Sequence, residues 1–136
     1  MSIDQPALKF VPPSGWQRGS KGGLTAFAAP DSSAMLAYTT FSGSDTSSRV
    51  ASAVSALGVQ RPTWRTPARK NVGREQLAAE MGEGSCTFRG PNGYVFYAAV
   101  DGGGSDRLLF VYVASSSASS TSKQAVLAAI NSVQKR

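Results

Sequence analysis

Two runs in the C-terminal half leave little choice of local structure. Tyr94 to Val100 sets Tyr94, Phe96, Ala98 and Val100 against Val95, Tyr97 and Ala99. Side chains on a strand point alternately to its two faces, so this is the pattern of a strand. Leu108 to Ala114 is apolar almost throughout, as a strand at the centre of a sheet would be. Asp101-Gly102-Gly103-Gly104-Ser105-Asp106 joins the two as a turn. Strand, glycine turn and strand predict an antiparallel pair.

Upstream segments extend the pattern. Met35, Ala37, Thr39 and Phe41 alternate with Leu36, Tyr38 and Thr40, and Leu24–Ala29 is a weaker strand before them. The Pro30-Asp31-Ser32-Ser33 turn makes the two a hairpin. Leu8 to Val11 is a short run stopped by Pro12-Pro13, and Ser14-Gly15-Trp16 is a turn with one apolar anchor. Arg18 to Gly23, basic and glycine-rich, reads as a loop. Ser42-Gly43-Ser44-Asp45 signals a helix start with Ser44 or Asp45 as N-cap. Val50, Ala53, Val54 and Leu57 then form one helical stripe that Gly58 closes. The serine-rich stretch Ser115–Ser122 leads into a second helix from about Ser122 to Val133, with Val126, Leu127, Ile130 and Val133 on its packed face.

Two segments are less direct. Gln76 to Phe88 suits a helical turn by propensity and a strand by alternation; Gly82, Gly84 and the following hairpin favour strand. The reversal after it is assigned to Asn92-Gly93, a pair that accepts positive φ. In Val59 to Arg74, Pro62 and Pro67 prevent a continuous helix, which predicts an edge strand around Trp64 and then a loop. The order strands, helix, strands, helix, with no repeat and no boundary, predicts one α+β domain over residues 1–136: an antiparallel β-sheet flanked by two helices.

Four segments resemble the PsbP/DcrB-like superfamily, a small αβα sandwich. They are Phe10-Val11-Pro12-Pro13-Ser14-Gly15-Trp16, Ala29-Pro30-Asp31 ahead of Met35–Phe41, the pair Tyr94–Val100 and Arg107–Val113, and the helix end Ile130-Asn131-Ser132-Val133. The resemblance spans nearly the whole chain. It implies the sandwich fold and a binding role, since most members are binders, and it carries over no catalytic residue.

Composition narrows the chemistry. The chain has no histidine and one cysteine, Cys86. That removes Ser-His-Asp triads, Cys-His dyads, His-ligated metals, cysteine-rich zinc sites and any internal disulfide. The reading is therefore not an enzyme, with no cofactor and no metal. The start Met1-Ser2-Ile3-Asp4-Gln5-Pro6 lacks the pattern of a secretion signal, and no stretch approaches the roughly 20 apolar residues that span a bilayer. The expectation is a cytoplasmic chain. Its formal net charge of +6 favours acidic partners, or serves solubility alone.

Several residues bear on function. Cys86 beside Arg89 is either an activated thiol or, as free cysteines usually are, a small buried strand residue. Glu75, Glu80, Glu83, Asp101 and Asp106 could supply paired carboxylates, but acids at turns normally cap them. Gly102–Gly104 lies between two strands and so reads as a turn, not a phosphate cradle. The positive candidate is Arg61, Trp64, Arg65, Arg69, Lys70 and Arg74, basic groups around one indole. On a regular strand Arg61 and Arg65 share a face and Trp64 points the other way. Trp64 is then a core residue guarded by arginines on an edge strand, or the group is a binding surface. The expected function is a non-enzymatic protein-interaction module; the alternative is anion or nucleic-acid binding through Arg61–Arg74.

Overall fold

The computed structural model describes residues 3–4, 8–21, 24–42, 46–88, 90–101, 106–116, 118 and 120–135. In chain order they form β1 (Ile3–Asp4), β2 (Leu8–Phe10), β3 (Gln17–Lys21), β4 (Leu24–Ala28), β5 (Ala34–Ser42), α1 (Thr46–Ala56), β6 (Gln60–Trp64), β7 (Ala68–Val72), β8 (Leu77–Thr87), β9 (Gly93–Asp101), β10 (Asp106–Ala114), α2 (Ser120–Asn131) and β11 (Gln134–Lys135). The expected α+β class is what the chain forms: an antiparallel sheet of eight strands with two helices.

The order across the sheet is β3-β4-β5-β10-β9-β8. The outer side of β8 is shared by two short strands end to end. β7 pairs with Leu77–Met81 and β6 with Gly84–Thr87. The most apolar strand, β10, sits between β5 and β9, with Phe110 facing Tyr38 on one side and Ala98 on the other. Its alternation splits the core into two layers. Leu108, Phe110, Tyr112 and Ala114 face α2 and join Leu36, Tyr38, Phe96, Ala98, Val126 and Ile130. Leu109, Val111 and Val113 face α1 and join Met35, Ala37, Val95, Val50, Val54 and Leu57. The α2 layer is completed by a small sheet, β1-β2-β11. Phe10 of β2 stands edge-on to Tyr38 and Phe110 at ring-centroid distances of 5.0 and 4.9 Å. Such pairs add about 0.5–1.5 kcal/mol each beyond simple burial.

Both helical stripes lie where their spacing put them. Val50, Ala53, Val54 and Leu57 are buried, and α1 ends with Gly58 at φ 84°. Val126, Ile130 and Val133 are buried, and Leu127 packs partly against the same cluster. The proposed N-cap, Ser44 or Asp45, and the turn residues Gly102–Gly104 lie outside the described residues.

Four local expectations need correction. Arg18 to Lys21, expected as loop, belongs to β3, which pairs with β4 from Gln17↔Ala28 to Lys21↔Leu24. Residues 68–72, also expected as loop, form β7. The second helix, expected to run to about Val133, stops at Asn131, and Gln134–Lys135 beyond it forms a two-residue strand on β2. These strands are mostly polar, so no apolar alternation marks them; their order comes from the unpaired edge each one meets. In the turn before β9, the left-handed residues are Gly90 (φ 122°) and Asn92 (φ 64°), not the Asn92-Gly93 pair. Gly93 instead opens the strand, opposite Cys86.

Candidate functional site

One helix of eleven residues cannot cover a sheet this wide, so the α1 layer stays open toward β8. The opening is a groove of about 460 Å³ between α1 and the edge strand β6. Val50, Ala51 and Val54 form its helix wall, Val59, Pro62 and Pro67 its outer wall, and Trp64 and Tyr97 its floor. Its lining is mostly apolar, as in sites that take apolar groups.

Two glycines build that floor. Gly82 lies opposite Tyr97, and Gly84 opposite Trp64. A Cβ on Gly82 would run into the Tyr97 ring, 3.0 Å from Cζ. A Cβ on Gly84 would overlap the Thr63 carbonyl, 2.8 Å from its carbon. Without those side chains the Tyr97 ring lies across β8, and its hydroxyl donates to Glu80 Oε2 at 2.7 Å. Burial and this hydrogen bond push the Tyr97 hydroxyl well above the ordinary tyrosine pKa. Trp64 meets the ring edge-on at 5.3 Å.

The basic segment wraps this edge and divides between its faces. Arg65 N–H donates to the Glu83 carbonyl at 2.9 Å, continuing the ladder one residue past Trp64. Trp64 faces the α1 groove while Arg65 lines a cleft under α2. The expected opposition of Trp64 and Arg65 therefore holds. The premise that put Arg61 with Arg65 does not: Arg61 takes φ 53° in a register shift between Gln60 and Thr63, and this bulge breaks the alternation. In β7, Lys70 lines the α2 cleft, while Arg69 is opposite Glu80 and belongs to the α1 face. Arg74 lies in the turn between β7 and β8. All five cations are exposed and Trp64 is half-buried.

The α2 cleft, about 360 Å³, is a second site. Glu83 is its hub, accepting from Tyr94 Oη at 2.7 Å and pairing with Arg65 at 3.3 Å and Lys123 at 4.0 Å. Lys123 Nζ also lies 4.8 Å from the centre of the Tyr94 ring. The Tyr94 hydrogen bond holds the Glu83 carboxyl below its ordinary pKa, helped by Lys123, Arg65 and Lys70. Burial, and then the bond to Glu83, drive the Tyr94 hydroxyl upward.

The remaining candidates are dispersed. Cys86 is buried in the α1 layer, and desolvation raises its thiol pKa, the setting of an inert structural cysteine. Glu80 and Glu83 sit on opposite faces of β8, each bonded to its own tyrosine. Glu75 accepts from the Lys135 backbone N–H and so ties the β7–β8 turn to β11. Asp101 and Asp106 lie at the facing ends of β9 and β10. Among the described residues no group of three or more Cys, Asp or Glu is placed to hold a metal, and no helix is long and apolar enough to cross a membrane.

No family model and no curated protein matches the chain. The geometry of the two openings is therefore what bears on function.

Sequence reasoning singled out Trp64 and the cations but missed their surroundings: Tyr97, Val50 and Val54 in the groove, Tyr94 and Lys123 in the cleft. One signal was available. Glycines two apart on a strand share a face and mark close approach of another group. Gly82 and Gly84 do so here, one under an aromatic ring and the other under a backbone carbonyl.

Proposed function

We propose that this protein is a non-enzymatic protein-interaction module whose α1 groove receives the apolar side chains of an acidic partner segment. The observation that carries this reading is the open apolar groove floored by half-buried Trp64 and buried Tyr97 at an edge rich in exposed cations. Apolar anchors in such a recess supply most of the affinity, and complementary charge around it supplies orientation and on-rate. Strand addition at this edge is disfavoured by the Arg61 bulge and by Pro62 and Pro67, which lack N–H donors. The partner is accordingly placed in the groove and not alongside β6. The buried, high-pKa thiol of Cys86 and the separation of Glu80 from Glu83 support the non-enzymatic reading. The resemblance to the PsbP/DcrB-like superfamily, most of whose members are binders, is in keeping with this reading.

The test is selection of peptides from a random displayed library on the full chain. The expected ligands combine one or two large apolar residues with Asp or Glu. Ala51→Glu places a bulky acid at the rim from an exposed helix position, so the fold should persist while binding of an acidic segment is lost. Trp64→Ala should weaken binding by about 30-fold, the scale of a hot-spot residue. Ligands without acid and apolar residues, or ligands that bind A51E as well as the parent, would end the proposal. Oligonucleotide binding that falls steeply with salt and is lost on charge reversal at Arg65 and Arg69 would replace it with the nucleic-acid reading.

A further inference from the structure

On the opposite face, we propose that the α2 cleft binds a phosphate monoester carried on an apolar or aromatic body. This inference is independent of the α1 groove. Three cations line the cleft, Arg65, Lys70 and Lys123, and they come from the β6–β7 connection, β7 and α2. Glu83 is the carboxylate among them, so two positive charges are in excess. A phosphate monoester carries about −1.5 to −2 at neutral pH, which matches that excess better than a single carboxylate does.

The cations are already positioned to hold an anion. Arg65 and Lys123 converge on the Glu83 carboxylate at 3.3 and 4.0 Å from two different elements. Lys123 is further held over the Tyr94 ring. Guanidinium and ammonium groups placed in this way can take phosphate oxygens directly, the guanidinium with paired hydrogen bonds. The rest of the lining explains the body of the ligand. Met81, Phe96 and Leu127 supply an apolar floor beside the cations. An apolar group attached to the phosphate would cover that floor, whereas a bare ion would leave it wet.

Glu83 sets the strength of the site. Its negative charge repels the incoming phosphate and competes with it for Arg65 and Lys123. Neutralising it should therefore tighten binding, the reverse of what happens when a ligand-contacting group is lost. The sign of this effect separates a prearranged anion site from a surface ion-pair network that merely keeps the edge soluble.

The experiment is calorimetric titration of the full chain with phenyl phosphate, inorganic phosphate and benzoate at about 50 and about 150 mM salt. The expected result is one saturable site for phenyl phosphate, weaker at the higher salt, with inorganic phosphate and benzoate both weaker still. Glu83→Gln should tighten phenyl phosphate binding about three- to tenfold. Lys123→Ala and Arg65→Ala should each weaken it by a similar factor. Arg69→Ala, on the other face, should leave it unchanged. No saturable binding, or binding that ignores Lys123→Ala or falls in Glu83→Gln, would overturn the proposal. Inorganic phosphate binding as tightly as phenyl phosphate would overturn the apolar-body assignment, and equal binding of benzoate would overturn the phosphate assignment.

Discussion

Replacing Gly82 by Ala should destabilise the protein, although alanine normally suits a strand interior better than glycine. On conformational grounds alone the change would stabilise by about 0.5–1 kcal/mol, because glycine loses more freedom on folding. Gly82 is not a residue that needs left-handed backbone, so that gain would apply in full. Against it stands the Tyr97 ring, which a new methyl would strike and approach to 3.0 Å at Cζ. The ring is rigid and fastened at its far end to Glu80. It can move only by swinging into the groove, away from Glu80 and from its edge contact with Trp64. Overpacking of this kind costs about 1–3 kcal/mol. The half-exposed hydrogen bond adds about 1 kcal/mol. After subtracting the backbone gain, the net loss is about 2 kcal/mol. Urea unfolding followed by tryptophan fluorescence measures it, as a lowered midpoint at unchanged m-value. The same displacement fills the groove, so selected peptides should bind more weakly to G82A. In a Tyr97→Phe background the hydrogen bond is already gone, and the cost of G82A should shrink by roughly its share of about 1 kcal/mol. A neutral or stabilised G82A protein would show that the ring does not lie over Gly82, and the description of the groove floor would be wrong.

Two further outcomes follow from neighbouring contacts. Gly84→Ala meets a backbone carbonyl, that of Thr63, and not a side chain, so the strand itself must move; a loss of about 3 kcal/mol or more is expected, with fast hydrogen exchange confined to β6. If amides of β6 and of central β10 lose protection equally, this local fastening is refuted. Glu83 titrates below its ordinary value of 4.5 when folded. Its contribution is therefore present above that value and is lost as pH falls through the lower folded pKa. The stability gap between the parent and Glu83→Gln should accordingly be open at pH 7 and narrow as pH falls below 4.5; a gap of constant size would contradict the Tyr94–Glu83 contact.

Much of the fold was legible because burial leaves a period in the sequence. The alternation of Tyr94–Val100 correctly separated Phe96 and Ala98 from Val95 and Tyr97, which now belong to different core layers. The stripe Val50, Ala53, Val54, Leu57 marked the buried side of α1. Strands without such a stripe were invisible. Most of Gln17–Lys21 and Ala68–Val72 is exposed, and Val72 is the one buried side chain among those described there. Each pairs with the strand that follows it, β4 or β8, through backbone groups alone, and backbone pairing leaves no mark in composition or apolar period. The candidate site was partly legible for the same reason. The basic residues around Trp64 could be seen, but the bulge at Arg61 breaks the alternation there, and Arg69 and Lys70 take their faces from pairing with β8.

The class of this domain, the two-layer core and the poverty of proton-moving and metal-binding side chains can all be read from the residues alone. These are matters of period and composition, which are properties of the chain. It takes the folded sheet to give the edge beside β8 two different openings. One is an apolar groove with Trp64 and Tyr97; the other is a cationic cleft that brings Arg65 and Lys70 to Lys123. That division arises because neighbouring strand residues point to opposite faces, and because two glycines let a ring and a carbonyl lie against β8. Lys123 is more than fifty residues from Lys70 in the chain, and only the packing of α2 across the sheet makes them neighbours.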